Sequence, residues 1–135
     1  MIQRIQSVYL LLAFLLDLIV FFNPLYSHAM DDPQAWIGVG FALVLTFAAL
    51  MSLGDIFLYK NRTLQMSWVK RTLALQLVTL GWGLGILISL GGFGSFLWDE
   101  TLGVSWLLLA LLFQLLAYRN IKQDEELVES MDRIR

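Results

Sequence analysis

The chain contains no cysteine and only one histidine, His28, among its 135 residues. Without cysteine there are no disulfide bonds, thiolate nucleophiles or cysteine-ligated metal sites. A single histidine also excludes a haem held by two histidines of one chain. The sequence offers no serine with an adjacent base and no convincing metal cluster, because His28 with Asp31 and Asp32 is better explained as solvated loop polarity. We therefore expect no enzymatic activity, no cofactor and no bound metal.

Charged residues are also scarce, at 15% of the chain, whereas hydrophobic residues make up 59% and the mean hydropathy is +0.72. A soluble domain is nearer one quarter charged, so this composition indicates an integral membrane protein whose first partner is the lipid bilayer. Four apolar segments are long enough to cross about 30 Å of hydrocarbon. They cover approximately residues 7–23, 36–59, 69–90 and 102–118.

These segments predict an all-α membrane protein with one domain over residues 1–135. Its architecture would be a four-transmembrane-helix bundle, followed by a short cytoplasmic C-terminal helix in the tail, residues 119–135. Pro24 follows the first span and, with the "DDP" before the second, predicts a loop there.

The nine basic residues lie only in the N-terminal stub, in the loop between the second and third spans and in the tail. The other two loops carry Asp31, Asp32, Asp99 and Glu100 instead. By the positive-inside rule, both termini and the middle loop are cytoplasmic in a bacterial inner membrane. Because the basic residues sit beside membrane ends, no nucleic-acid partner is expected. The nine are Arg4, Lys60, Arg62, Lys70, Arg71, Arg119, Lys122, Arg133 and Arg135.

Within the predicted spans, the polar residues of greatest interest are Asp17, Asp55, Gln76 and Gln114, and Asp17 lies near the middle of the first span. Small and polar residues share the helical stripe of Asp17, so we expect this face to meet protein rather than lipid. Asp55, Gln76 and Gln114 are its possible partners on the other spans. Two interpretations stay open: interhelical hydrogen bonding, or a polar path for protons or a solute.

The third span contains Gly81, Gly85 and Ser89 at intervals of four residues. Small residues at this spacing form a helix face that another helix can approach closely. The glycines do not match a phosphate-binding loop, because the spacing differs from the known motifs and no strand precedes them. We therefore predict a helix-packing face.

The tail "RNIKQDEELVESMDRIR" is predicted to continue as a helix with an apolar stripe that includes Leu127 and Met131. Its five acidic residues argue against binding to anionic lipid. The stripe is therefore predicted either to dock on the cytoplasmic loop of the same chain or to bind a partner protein. The candidate partner-binding residues are Arg4, Lys60, Arg62, Asp124, Glu125, Leu127, Met131 and Arg133.

Three stretches, "MIQRIQSVYLLLA", "FLYKNRTLQ" and "RNIKQDEELVESMDRIR", resemble a family of short four-pass membrane proteins from Bacteroidota, catalogued as a domain of unknown function. The resemblance spans the whole chain and implies a four-helix inner-membrane protein, but it implies no activity, substrate or catalytic residue. The distinctive family residues lie at or near the predicted cytoplasmic face, which suggests a function exerted through that surface.

Two functional hypotheses follow. The first is an accessory, assembly or scaffolding subunit without enzymatic activity, which binds other membrane proteins or a second copy of itself. The alternative is a small dimeric transporter or proton-coupled carrier that uses Asp17. It looks superficially like the small multidrug-resistance transporters, but that family has little charge bias between its loops, whereas the bias here is complete.

Overall fold

The computed structural model describes residues 2–93 and 96–134, with side chains from residue 5 onward. Arg4, one of the predicted partner-binding residues, therefore has its side chain outside the described part. The described chain forms five α-helices and one 3₁₀ turn, in the order α1 (Ile2–Val20), α2 (Pro24–Met30), α3 (Ala35–Phe57), the 3₁₀ turn (Leu58–Lys60), α4 (Arg62–Ser89) and α5 (Trp98–Ile134).

The segment after Pro24 differs from the expected loop, because it forms the short helix α2. Asn23 caps this helix by accepting a hydrogen bond from the Leu25 backbone N–H, and Pro24 occupies the first helical position, which suits proline. The chain bends by 55° between α1 and α2. The first predicted span was residues 7–23. In the structure the straight helix α1 ends at Val20, and the chain continues through the bend into α2.

Other helix ends follow local sequence signals. The Asn61 side chain accepts a hydrogen bond from the Leu64 backbone N–H and starts α4. At the other end of α4, Gly91 and Gly92 have φ values of 127° and 78°, which glycine adopts readily. Their N–H groups donate to the carbonyls of Ile88 and Leu87, so a Schellman motif closes the helix.

The long helices form a ring in which α1 packs against α3 and α5, and α4 packs against the same two helices. Hence α1 and α4 face each other across the axis, as do α3 and α5. The short helix α2 packs against α3 and α5 at one end, here called the α2 end. The opposite end, here called the termini end, contains the start of α1 and the second half of α5.

Large apolar side chains cover the outside of the bundle, while several polar ones lie inside it. Leu15, Phe47, Leu77 and Leu112 are examples of exposed apolar residues, one on each long helix. This distribution suits a bundle surrounded by lipid, where exposed apolar surface costs nothing and buried polar groups bond to each other. Three helices are long and apolar enough to cross a membrane, and a fourth qualifies if α1 and α2 form one bent span.

The interior contains two apolar clusters separated by polar layers. The larger cluster fills the α2 end and includes Phe41, Leu45, Leu87 and Leu107. The smaller one lies toward the termini end and consists of Leu10, Val69, Ala117 and Ile121. The polar residues between and beside these clusters are therefore the interior groups that can form hydrogen bonds or carry a proton.

Candidate functional site

Each long helix contributes one side chain to a polar layer in the middle of the bundle, here called the polar cross. Its members are Asp17 of α1, Ser52 of α3, Gln76 of α4 and Gln114 of α5, and all four are fully buried. Gln76 Nε2 donates to Asp17 Oδ1 at 2.8 Å across one diagonal, and Gln114 Nε2 donates to Ser52 Oγ at 2.8 Å across the other. A bond of 3.3 Å from Gln114 Nε2 to Gln76 Oε1 joins the two diagonals.

The polar cross has more acceptors than donors. Gln76 Nε2 also donates to the Leu107 carbonyl at 3.4 Å, so each amide group makes two donor bonds and has no N–H left to offer. Asp17 Oδ2 and Gln114 Oε1 are buried without a hydrogen-bond partner among the described residues. The layer therefore fixes four helices at one depth and leaves two buried oxygens that accept no bond.

Asp55 belongs to a separate polar cluster nearer the termini end, not to the layer of Asp17. Its Oδ2 accepts a bond of 2.7 Å from Thr72 Oγ1, and its backbone carbonyl accepts one of 2.9 Å from Gln65 Nε2. These contacts join the end of α3 to the start of α4 across the 3₁₀ turn. Asp55 Oδ1 has no partner in the described part of the chain.

Ser52, Gln65 and Thr72 carry interior hydrogen bonds that the sequence reading missed. The signal was nevertheless present, because residues 65, 69, 72, 76 and 79 follow the 3/4 spacing of one helix face, and all of them are buried. Ser52 lies three residues before Asp55 on the same face of α3. Ser52 and Thr72 give a weaker signal in the sequence, because serine and threonine in a helix commonly bond to their own helix backbone.

The termini end is closed by two further side-chain bonds. Gln6 Nε2 of α1 donates to Asp124 Oδ2 of α5 at 2.8 Å, in a buried contact. Thr63 Oγ1 of α4 donates to Glu125 Oε1 at 3.2 Å. Asp124 and Glu125 were predicted as partner-binding residues, but the structure engages both within the chain. Asp124 in particular is not available to a partner, because α1 covers it.

Beyond Glu125, α5 leaves the bundle. Residues 126–134, here called the projecting segment, are all exposed, with Leu127, Met131 and Ile134 exposed to 55%, 67% and 86%. The alternative in which the tail docks on the protein's own loop is wrong for these residues, because each of them is exposed. Arg133 and Lys60 are also exposed, and Arg62 is partly exposed.

The predicted packing face of Gly81, Gly85 and Ser89 does not pack within the chain. All three residues are exposed, and a Cβ atom built on either glycine would meet nothing within 4 Å. The glycine that packs is Gly83, whose built Cβ would lie 2.9 Å from Leu107 Cδ1. Gly83 therefore lies on the inward face of α4, whereas Gly81 and Gly85 do not. The spacing of the small residues alone did not reveal which glycine packs.

His28 lies at the α2 end, where its Nε2 is 3.0 Å from Glu100 Oε1. This pair links α2 to the start of α5, beside the 2.8 Å bond from Asn23 Nδ2 to the Asp99 carbonyl. Within residues 2–93 and 96–134, no three histidine, aspartate or glutamate side chains come together as a metal site would require. The arrangement at this end serves to hold α2 in place.

A family model described as "Domain of unknown function (DUF4293)" matches residues 2–40 and 33–134. Because these matches cover nearly the whole chain, the protein belongs to this family. Neither the curated proteins nor the solved structures contain a significant match to the chain.

Proposed function

We propose that the protein is an accessory or assembly subunit of the bacterial inner membrane, without enzymatic activity, which binds another membrane protein through the projecting segment of α5. In this proposal α1 with α2, α3, α4 and the first two thirds of α5 form four spans. The resemblance to proteins of Bacteroidota supports a bacterial membrane.

Charge supports an orientation with the termini end in the cytoplasm. Lys60, Arg62, Lys70 and Arg119 all belong to this end, whereas Asp31, Asp32, Asp99 and Glu100 belong to the α2 end. Lys70 Nζ lies 5.8 Å from the centre of the Tyr118 ring. Basic and aromatic side chains are both common at a membrane–water interface, so this pair supports an interface at its level. The projecting segment is then cytoplasmic.

The observation that carries the proposal is the exposed apolar stripe of the projecting segment. Leu127, Met131 and Ile134 lie on one side of the helix, and every residue of the projecting segment is exposed. Glu129 and Asp132 lie about 200° and 140° around the helix from Leu127, so the opposite side is acidic. A partner with an apolar groove would fit the stripe and leave the acidic side toward solvent, as in other helix-in-groove complexes.

The test compares two variants of the full chain extracted from its own membrane. Leu127→Gln with Met131→Gln removes the stripe, and Glu129→Gln alters the opposite side of the same turns. We expect the first variant to lose a partner subunit that wild type and Glu129→Gln both retain, measured by quantitative mass spectrometry of the purified assemblies. Equal recovery of every co-purifying protein from all three would contradict the proposal.

The alternative of a small proton-coupled transporter has one specific observation in its favour, namely the two buried oxygens of Asp17 and Gln114 that accept no bond from the described residues. Asp17 is fully buried, however, so transport would require the bundle to open. Proton-coupled flux into liposomes that falls in Asp17→Asn would support this function. Equal flux in both proteins, or flux in neither, would exclude it.

A further inference from the structure

An apolar groove of about 540 Å³ runs along the outside of the bundle at the junction of α3 and α4. Its lining includes Phe47, Leu50 and Gly54 of α3, Leu58 of the 3₁₀ turn, and Leu64 and Trp68 of α4. Asp55 also lines it, but this residue is almost fully buried and its Oδ2 is held by Thr72 inside the bundle. The surface of the groove is therefore mainly hydrocarbon.

Gly54 keeps the groove open. This residue is exposed, and a Cβ atom built on it would meet nothing within 4 Å, so no neighbouring helix needs the glycine for close packing. A larger side chain at this position would occupy the groove instead of clashing with the bundle. Gly54 therefore leaves space in the groove that a larger side chain would fill.

The groove runs along α3 and is about as long as one membrane leaflet is thick. From Phe47 to Leu58 it follows about 16 Å of helix, at 1.5 Å per residue, and half of a 30 Å hydrocarbon layer is about 15 Å. Its shallow end lies at the termini end of the bundle, beside Trp68, whose ring suits a membrane interface. Its deep end at Phe47 lies near the middle of α3, about 7.5 Å beyond Ser52 of the polar cross.

Positive charge lies at the shallow end. Lys60 follows Leu58 by two residues and has an exposed side chain, and Arg62 precedes Leu64 by two and is partly exposed. A ligand with an apolar chain at the deep end and a negative group at the shallow end is complementary to this surface.

We propose that the groove binds one anionic phospholipid of the cytoplasmic leaflet, with an acyl chain along Phe47, Leu50 and Gly54 and its phosphate beside Lys60 and Arg62. An apolar partner helix offers no negative group to Lys60 and Arg62, so the charge at the shallow end favours the phospholipid. This site is separate from the projecting segment and does not depend on it.

The test uses the full chain in detergent, titrated with phosphatidylglycerol or with phosphatidylcholine carrying the same acyl chains. Native mass spectrometry counts the lipids retained, and the melting temperature reports their stabilising effect. We expect wild type to retain one phosphatidylglycerol with a preference of roughly 10-fold over phosphatidylcholine, because two basic residues contact the head group.

Gly54→Leu should abolish this retained lipid, while Gly81→Leu should keep it, since Gly81 is an equally open glycine outside the groove. Lys60→Gln with Arg62→Gln should remove the head-group preference but leave chain binding. Loss of the lipid in both glycine variants, or equal retention of the two lipids by wild type, would show bulk annular lipid and overturn the proposal. A Gly54→Leu protein that no longer folds would be replaced by Gly54→Val in the same comparison.

Discussion

At the α2 end of the bundle, Phe41, Leu87 and Leu107 fill the interior, whereas in the middle the same space holds Asp17, Gln76 and Gln114. The first region is held by shape: glycines let backbones and large side chains approach, as Gly83 does with Leu107. The second is held by hydrogen bonds between helices that are far apart in sequence. Lipid is as apolar as leucine, so neither region gains from a hydrophobic driving force between spans.

The two regions therefore determine different features of the bundle. Close packing at the α2 end fixes distances, since a small residue permits approach without selecting a depth. The polar cross fixes depth, because a helix that slid by one turn would separate Asp17 from Gln76 and leave both buried without partners. Substitutions in the two regions should therefore fail in different ways, which the following predictions test.

The largest effect is expected from Gly38→Ala at the α2 end. A Cβ atom there would lie 2.5 Å from the Ala29 carbonyl oxygen and 3.0 Å from Met30 Cα, both backbone atoms of α2 and its end that cannot rotate away. We expect a loss of about 3 kcal/mol in the free energy of unfolding, measured by titration with dodecyl sulfate in mixed micelles. The matched variant Gly81→Ala should be neutral or stabilising, because its site is open and alanine favours a helix.

If both glycine variants were equally stable, the α2 end would not be held by close approach. A loss of stability confined to Gly38→Ala, with α2 becoming accessible to protease, would locate the damage where the contact lies.

The next effect is expected from Gln76→Leu in the polar cross. This change removes the one amide that bonds to both Asp17 and Gln114, and leaves a buried carboxyl group without a donor. We expect a loss of about 2 kcal/mol. Asp17→Val combined with Gln76→Leu should recover most of it, because removing both partners of a buried bond costs less than removing one. A double-mutant cycle with no coupling between the two positions would show that their bond contributes nothing.

The sequence predicted helices over the four apolar segments and three members of the polar cross, Asp17, Gln76 and Gln114, but it missed Ser52 and did not predict which side chains bond to each other. The 3/4 spacing of Gln3, Gln6, Leu10, Ala13 and Asp17 indicated an interior face. The last four side chains are buried, and that of Gln3 lies outside the described residues. Composition, however, does not say which of several polar residues meet. Asp55 was grouped with Asp17, yet it bonds to Thr72, because the depth of each residue depends on where α3 ends and α4 begins.

The glycines show a second limit of sequence reading. Gly81, Gly83 and Gly85 lie within five residues, and the four-residue spacing selected the outer two. Only the arrangement of the neighbouring helices decides which side of α4 faces inward, and the structure selects Gly83. In the tail, the pattern identified an apolar stripe correctly, but it did not reveal that Asp124 closes the bundle against Gln6.

A smaller effect is expected from Ser52→Ala, which removes the acceptor of the second diagonal. Gln114 would keep its bond to Gln76, so the loss should be about 1 kcal/mol or less. Ser105→Ala is the matched control, because that hydroxyl is exposed and bonds only to the Thr101 carbonyl of its own helix. Equal effects in the two variants would mean that the second diagonal does not contribute to the stability of the bundle.

The smallest effect is expected from Thr63→Ala at the termini end. The bond from Thr63 to Glu125 is exposed, so water replaces it and the free energy of unfolding should fall by only about 0.5 kcal/mol. Its consequence should instead be local, since this bond lies where α5 leaves the bundle. Hydrogen exchange of the amides around Glu125 should become faster in Thr63→Ala, while exchange near Asp17 stays unchanged. Thr46→Ala, whose exposed hydroxyl bonds to Ala42 of its own helix, should alter neither region. Faster exchange throughout the bundle would show instead that the two ends unfold as one unit. The close-packed α2 end and the hydrogen-bonded layers would then have the same local stability.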